Sequence, residues 1–145
     1  LLELQELLLK PELHSRAPTR KKTALAEVYA QRGMLAAKKG SPQKAEELFL
    51  AAEKLYRELT KEFPAVARHR EKLHFLLLAR MQLLLASNEP ELARPLLAEA
   101  LLLAKEFVKE NPGELSFVED LELLEQFFQR FQQRYPATTT SNPKP

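Results

Sequence analysis

The chain has 145 residues, 45% hydrophobic and 29% charged, and its 22 basic and 20 acidic side chains leave a formal net charge of +2. That is one domain's worth of sequence with a core to bury, and so even a charge balance excludes a phosphate backbone or an anionic bilayer as the default partner. With no cysteine, disulfides, thiolate metal sites and thiol nucleophiles are excluded, which leans toward a reducing, cytoplasmic setting, and no apolar run reaches the roughly 18 residues of a membrane span.

Three glycines stand against a high content of Leu, Ala, Glu and Lys, so the expected secondary structure is helix. Opening at Leu1 without a methionine, the sequence reads as part of a longer protein. Leu1 to Leu13 forms a short amphipathic leader, followed by a Ser/Pro/Thr linker with the basic cluster Arg16, Arg20, Lys21 and Lys22. A first helix over 24–39 carries Leu25, Val28, Tyr29, Met34 and Leu35 on one broad apolar face and stops at Gly40. Ser41-Pro42 restarts the chain with a hydroxyl N-cap and a proline at the first helical position, where its missing N–H costs nothing. The second helix runs to Phe63 and turns Ala45, Leu48, Phe49, Ala52, Leu55, Tyr56 and Leu59 toward the core. Val66 to Ala86 is a third helix, Ser87-Asn88-Glu89-Pro90 a turn and cap, and Leu92 to Glu110 a fourth, which Pro95 is expected to bend or delay. Leu115 to Tyr135 follows Pro112-Gly113, and the polar tail after it is expected to be mobile.

The strings KEFPAVARHREKL and KENPGELSFVEDL align with Pro64 and Pro112 in register, a period of 48, so about two and a half copies of one helix-pair unit are predicted. The expected organisation is a leader and basic linker over 1–23, a first repeat over 24–64, a second over 65–112, a capping helix over 113–135 and a tail over 136–145.

Within the first pair, Tyr29, Gly33, Ala36, Ala45, Phe49 and Ala52 alternate large and small side chains in the spacing of a tetratricopeptide helix-turn-helix, and Leu77, Met81, Leu84, Ala93, Leu97 and Ala100 hold those places in the second. Glycine inside a helix costs about 1 kcal/mol against alanine, so Gly33 points to a close approach of the facing helix at Ala45 or Phe49. Both helices of each pair are longer than in the usual unit of about 34 residues. The sequence resembles the long-period tetratricopeptide arrays attached to bacterial signalling proteins, notably serine/threonine protein kinases, and LLKPELHSRAPTRKKTALAEVYAQ resembles the lead-in of such arrays.

That resemblance implies an all-α fold, an α-solenoid of antiparallel helix pairs closed by a C-terminal capping helix, and a non-catalytic role in protein binding or scaffolding. It also implies a ligand face lined by the first helix of each pair: Glu27, Met34 and Lys38 in the first, Phe75, Leu78 and Gln82 in the second. An alternative that buries Phe75 and Leu78 under the next helix stands beside it. The family's basic and asparagine clamp for a C-terminal carboxylate is not matched, because Ala30 and Met34 occupy its places.

His69 and His74, five apart, fall on different helix faces and read, with His14, as surface or boundary side chains and not as metal ligands. Ser15, Thr19 and Ser41 read as helix caps, and the basic cluster as a solvated helix start, although its charge is of the wrong sign for the helix dipole. No catalytic residue, cofactor or metal is expected, and the expected partner is a protein or peptide, with neither nucleic acid nor membrane. Leu121, Leu124, Phe128, Phe131 and Tyr135 stripe the last helix, which should close the stack as a cap. The other reading gives Phe127 and its neighbours a homodimer contact, making the segment an oligomerisation spacer.

Overall fold

The computed structural model describes Leu8 and residues 18–137; the rest of the leader, His14, Ser15, Arg16 and the tail from 138 lie outside the described residues. Among the described residues the chain is all-helical, with no strand: α1 (Thr19–Lys38), α2 (Pro42–Glu62), α3 (Ala67–Ala86), α4 (Pro90–Glu110) and α5 (Leu115–Arg134). The helices α1, α3 and α5 start at 19, 67 and 115 and end at 38, 86 and 134, a step of 48 each time, and α2 and α4 obey the same step. The period legible in two short strings is therefore a period of the five described helices.

The turns explain why the period is kept. At the end of α1 the Ser41 N–H donates to the Ala36 carbonyl (2.9 Å) and the Gly40 N–H to that of Ala37 (3.1 Å); after α3 the Glu89 and Asn88 N–H groups donate to Leu84 (2.8 Å) and Leu85 (3.0 Å). Both are Schellman turns, which use a residue with positive φ to satisfy the last carbonyls of a helix. Gly40 takes that place at φ 78 and Asn88, 48 residues on, at φ 59. The turns after α2 and α4 also match: Phe63 N–H donates to Leu59 and Val66 N–H to Phe63, as Asn111 N–H does to Phe107 and Glu114 N–H to Asn111. At the end of α5 the equivalent of Gly40 and Asn88 is Pro136. Its ring fixes φ near −65° and removes the N–H, so that turn cannot form, and Tyr135 leaves the helix at φ −127, ψ 73. The clash that a proline imposes on its predecessor accounts for this conformation, and Phe63, before Pro64, shows nearly the same one at φ −130, ψ 67.

Two expected caps are corrected. Ser41 is the N-cap of α2 by position and its carbonyl accepts the Ala45 N–H (3.0 Å), but at φ −113, ψ 74 its side chain makes no capping bond. Thr19 lies inside α1, capped by Pro18 without a side-chain bond. Nor does Pro95 delay α4, which starts at Pro90 as α2 starts at Pro42 and runs through it.

The chain divides into two compact units, Leu1–Ala100 and Leu101–Pro145, so the packing boundary falls inside α4. In the first, α1 packs on α2 and α2 on α3. The stripe that α1 buries is Lys22, Leu25, Ala26, Tyr29 and Gly33. Met34 and Leu35, expected on that face, are 40% and 52% exposed, because the contact follows the narrower i, i+3, i+4, i+7 row. From α2 it meets Ala45, Phe49, Ala52, Leu55, Tyr56 and Leu59, all at 2% exposure or less. Burying one large apolar side chain contributes about 1.5–3 kcal/mol, more than the about 1 kcal/mol that a helical glycine costs, so close approach at Gly33 is favourable on balance. In the second unit Phe107 and Phe117 pack with ring centroids 5.7 Å apart, and Phe131, buried, packs on Tyr135 at 5.1 Å. Along α5 the equivalents of Leu25, Ala26, Tyr29 and Gly33 are Leu121, Glu122, Glu125 and Gln129, of which the last three are exposed. Where α1 meets its pair partner, α5 presents polar side chains to water.

Candidate functional site

Because α1 and α3 both pack on α2, a groove opens between them with α2 as its floor. A cavity of about 210 Å³ lies there, lined by Glu27, Ala30 and Gln31 of α1, Tyr56 of α2, and Arg68, Lys72, Phe75 and Leu76 of α3. Helical spacing makes the walls: 27 and 31 are one turn apart, and 68, 72 and 75 follow at i, i+4 and i+7. Phe75 stands 49% exposed, while Tyr56 beneath is 2% exposed. Burial, reinforced by the charge of Glu27 and opposed by that of Arg68, pushes the Tyr56 phenol up to about 12. The site thus pairs an apolar wall with one carboxylate, two cations and a neutral buried phenol.

Of the six residues expected on the ligand face, the structure brings Glu27 and Phe75 into this cavity. Met34, Lys38 and Gln82 are exposed and Leu78 is half-buried, outside its lining. The alternative in which the next helix buries Phe75 does not hold at its observed exposure. Sequence reasoning missed Gln31, Tyr56, Arg68 and Lys72. The signal was present for the cations, since Arg68 and Lys72 share a helical face with Phe75, although they are less densely spaced than the basic run at 16–22.

Within that run Lys22 is no solvated linker charge. It is 4% exposed, and its Nζ lies 2.8 Å from Glu62 Oε1 and 3.4 Å from Glu58 Oε1. The hydrogen bond to Glu62 raises its pKa in spite of burial.

A second charged chain ties the first unit together beyond the groove. Arg80 donates to Glu46 Oε1 from Nε (2.9 Å) and Nη2 (2.7 Å), and to Glu53 Oε1 from Nη1 (2.6 Å). Arg57 donates to Glu53 Oε2 (2.9 Å) and grips Glu99 with two parallel bonds of 2.7 and 2.8 Å. The guanidinium of Arg57 holds the Glu99 carboxyl below its ordinary value. Burial works against the charge of Arg80, but Glu46 and Glu53 together raise its pKa. These groups fix α3 and α4 on α2 through geometry that bidentate arginine pairing makes specific. A larger cleft of about 400 Å³, lined by Pro42, Gln43, Glu46, Leu83, Leu84, Ser87 and Glu89, adjoins this network. Its inner carboxylate, Glu46, is already committed to Arg80.

Among the described residues no group of three or more His, Cys, Asp or Glu side chains could hold a metal ion. His69 sits at the edge of the core at 9% exposure, 6.5 Å from the Phe63 ring, and burial, with Arg68 beside it, lowers its pKa. In the second unit Phe127 is half-buried, whereas Leu102, Leu115 and Leu123 are 60%, 72% and 64% exposed. No helix among the described residues is long and apolar enough to cross a membrane.

No protein-family model matches the chain, and no curated protein or solved structure is significantly similar to it. The class defined by fold and site is thus an all-α protein of packed, repeating helix pairs with a groove between first helices.

Proposed function

We propose that the chain is a tetratricopeptide-like interaction module: a non-catalytic scaffold that holds a peptide or partner domain in the α1–α3 groove. The observation that carries this reading is Phe75, a large aromatic left 49% exposed on the wall of a cavity whose floor is buried Tyr56. Half-covered aromatic side chains in walled pockets are the usual anchors of protein interfaces. The tetratricopeptide likeness is supported by the step of 48 in every helix and by the close contact of Gly33 with Phe49. The resemblance to arrays on bacterial serine/threonine kinases makes a cytoplasmic signalling protein the expected parent.

Self-association through α5 is the second reading, favoured by the exposure of Leu115 and Leu123 on a helix that buries only Phe131. Light scattering across concentration separates the two. The module reading expects a monomer whose specific partner is lost in a Met34→Glu, Phe75→Glu double variant. A dimer that Phe127→Glu dissociates, with no partner sensitive to the groove, would establish the spacer instead.

A further inference from the structure

We infer that the occupant of the α1–α3 groove is a segment carrying acidic side chains two or three residues from a large apolar one; this rests on the groove being the binding surface. Charge pairing in the first unit carries the inference. Lys22 is matched with Glu62 and Glu58, Arg80 with Glu46 and Glu53, and the exposed Arg57 with Glu53 and Glu99. Arg68 and Lys72 differ. Both line the cavity, Arg68 exposed and Lys72 half-buried, and among the described residues no ion pair joins either to a carboxylate, although Glu27 lines the same space. Lys72 is half-buried and lines the cavity beside Phe75 and Leu76, so a ligand that reaches the apolar wall also reaches a cation.

Spacing sets the ligand's pattern. Lys72 and Arg68 precede Phe75 by three and seven residues of α3, which at 1.5 Å per residue is about 5 and 10 Å along the wall. An extended ligand advances about 3.3 Å per residue. A carboxylate on the cations therefore places an apolar side chain on Phe75 when the two are two or three residues apart. Glu27, on the α1 wall, repels a ligand carboxylate and leaves it only the α3 side. The carboxylates come from side chains within the segment, since a terminal carboxylate supplies a single negative charge where two cations stand a helical turn apart.

The test uses N-acetylated, C-amidated fluorescent dodecapeptides in which aspartate and glutamate alternate at that spacing with phenylalanine and leucine. Matched peptides carry lysine or glutamine in place of the acids, and one neutral peptide keeps a free C-terminus. Binding is read by anisotropy against the whole chain, with circular dichroism confirming that each variant is folded. The acidic peptide should bind most tightly and weaken as salt rises. Arg68→Glu with Lys72→Glu should weaken it by about tenfold or more, and Glu27→Gln should tighten it. If the neutral peptide binds as well, is lost in Phe75→Glu and ignores the cation reversals, the groove stands and the acidic assignment is overturned. Preference for the free C-terminus overturns the side-chain source. If no peptide responds to Phe75→Glu, both the assignment and the groove reading fail.

Discussion

A methyl group added at Gly33 would lie 2.7 Å from Cδ1 and Cε1 of the Phe49 ring, closer than real Cβ contacts come. Phe49 is 2% exposed, so its ring has no free space into which to retreat. The helices touch backbone to ring there, and the glycine is what permits it. Overpacking costs about 1–3 kcal/mol, partly offset by the about 1 kcal/mol that alanine gains in a helix, so Gly33→Ala should destabilise the fold by about 1–2 kcal/mol in urea denaturation. Adding Phe49→Leu should cost less in that background than in the wild type, because the smaller side chain removes the clash.

The left-handed turns give a second prediction. Asn88 pays a steric penalty at φ 59 that glycine avoids at φ 78 in the first copy. Asn88→Gly should therefore raise the midpoint of thermal unfolding slightly, and Asn88→Val should lower stability by about 1–2 kcal/mol. Equal stabilities for all three would contradict the role assigned to the turn.

Arg80 and Glu53 are 13% and 11% exposed, so removing the arginine leaves a covered carboxylate with Arg57 as its remaining partner. Arg80→Met should cost about 2–3 kcal/mol, less than the loss of a sole buried partner. Arg57 is 42% exposed, and Arg57→Met should cost less than about 1 kcal/mol. Chemical denaturation of the two variants side by side checks the order.

Two side chains give the fold opposite pH limits. The pKa of His69 is lowered by burial, so on acidification the unfolded chain takes up the proton first. Its stabilising effect is whole above the unfolded value of about 6.5 and falls as pH drops below it. His69→Phe should flatten stability between about pH 7 and 5.5. Tyr56, pushed up to about 12, acts at the other end. Its contribution is present below the unfolded value of about 10 and lost as pH rises toward 12, a slope that Tyr56→Phe should reduce.

Much of the fold was legible in the residues. Proline spacing and the two aligned strings predict the step of 48, and Gly33 predicts a close approach at Ala45 or Phe49, which the structure places at Phe49, because these are local constraints of backbone and volume. The width of the α1 face was not legible. Periodicity alone admits Met34 and Leu35, and only the position of α2 decides that Lys22 is inside and those two outside. Lys22 was misread for the same reason, since Glu58 and Glu62 lie on another helix. Glu27 and Phe75, which the tetratricopeptide resemblance implies for the ligand face, both line the α1–α3 cavity. Arg68 and Lys72 were missed because a cation's meaning depends on whether a carboxylate faces it, which sequence spacing across three helices does not encode.

The most direct test of the interaction surface is to place a photo-crosslinking side chain at Phe75 and, separately, at Phe127, and to measure the mass of what each captures together with the chain's own mass across concentration. The account predicts a monomer that captures a partner other than itself from position 75, competed by the acidic peptide, and nothing specific from position 127. Self-capture from position 127 by a concentration-dependent dimer, with none competed at position 75, would contradict it.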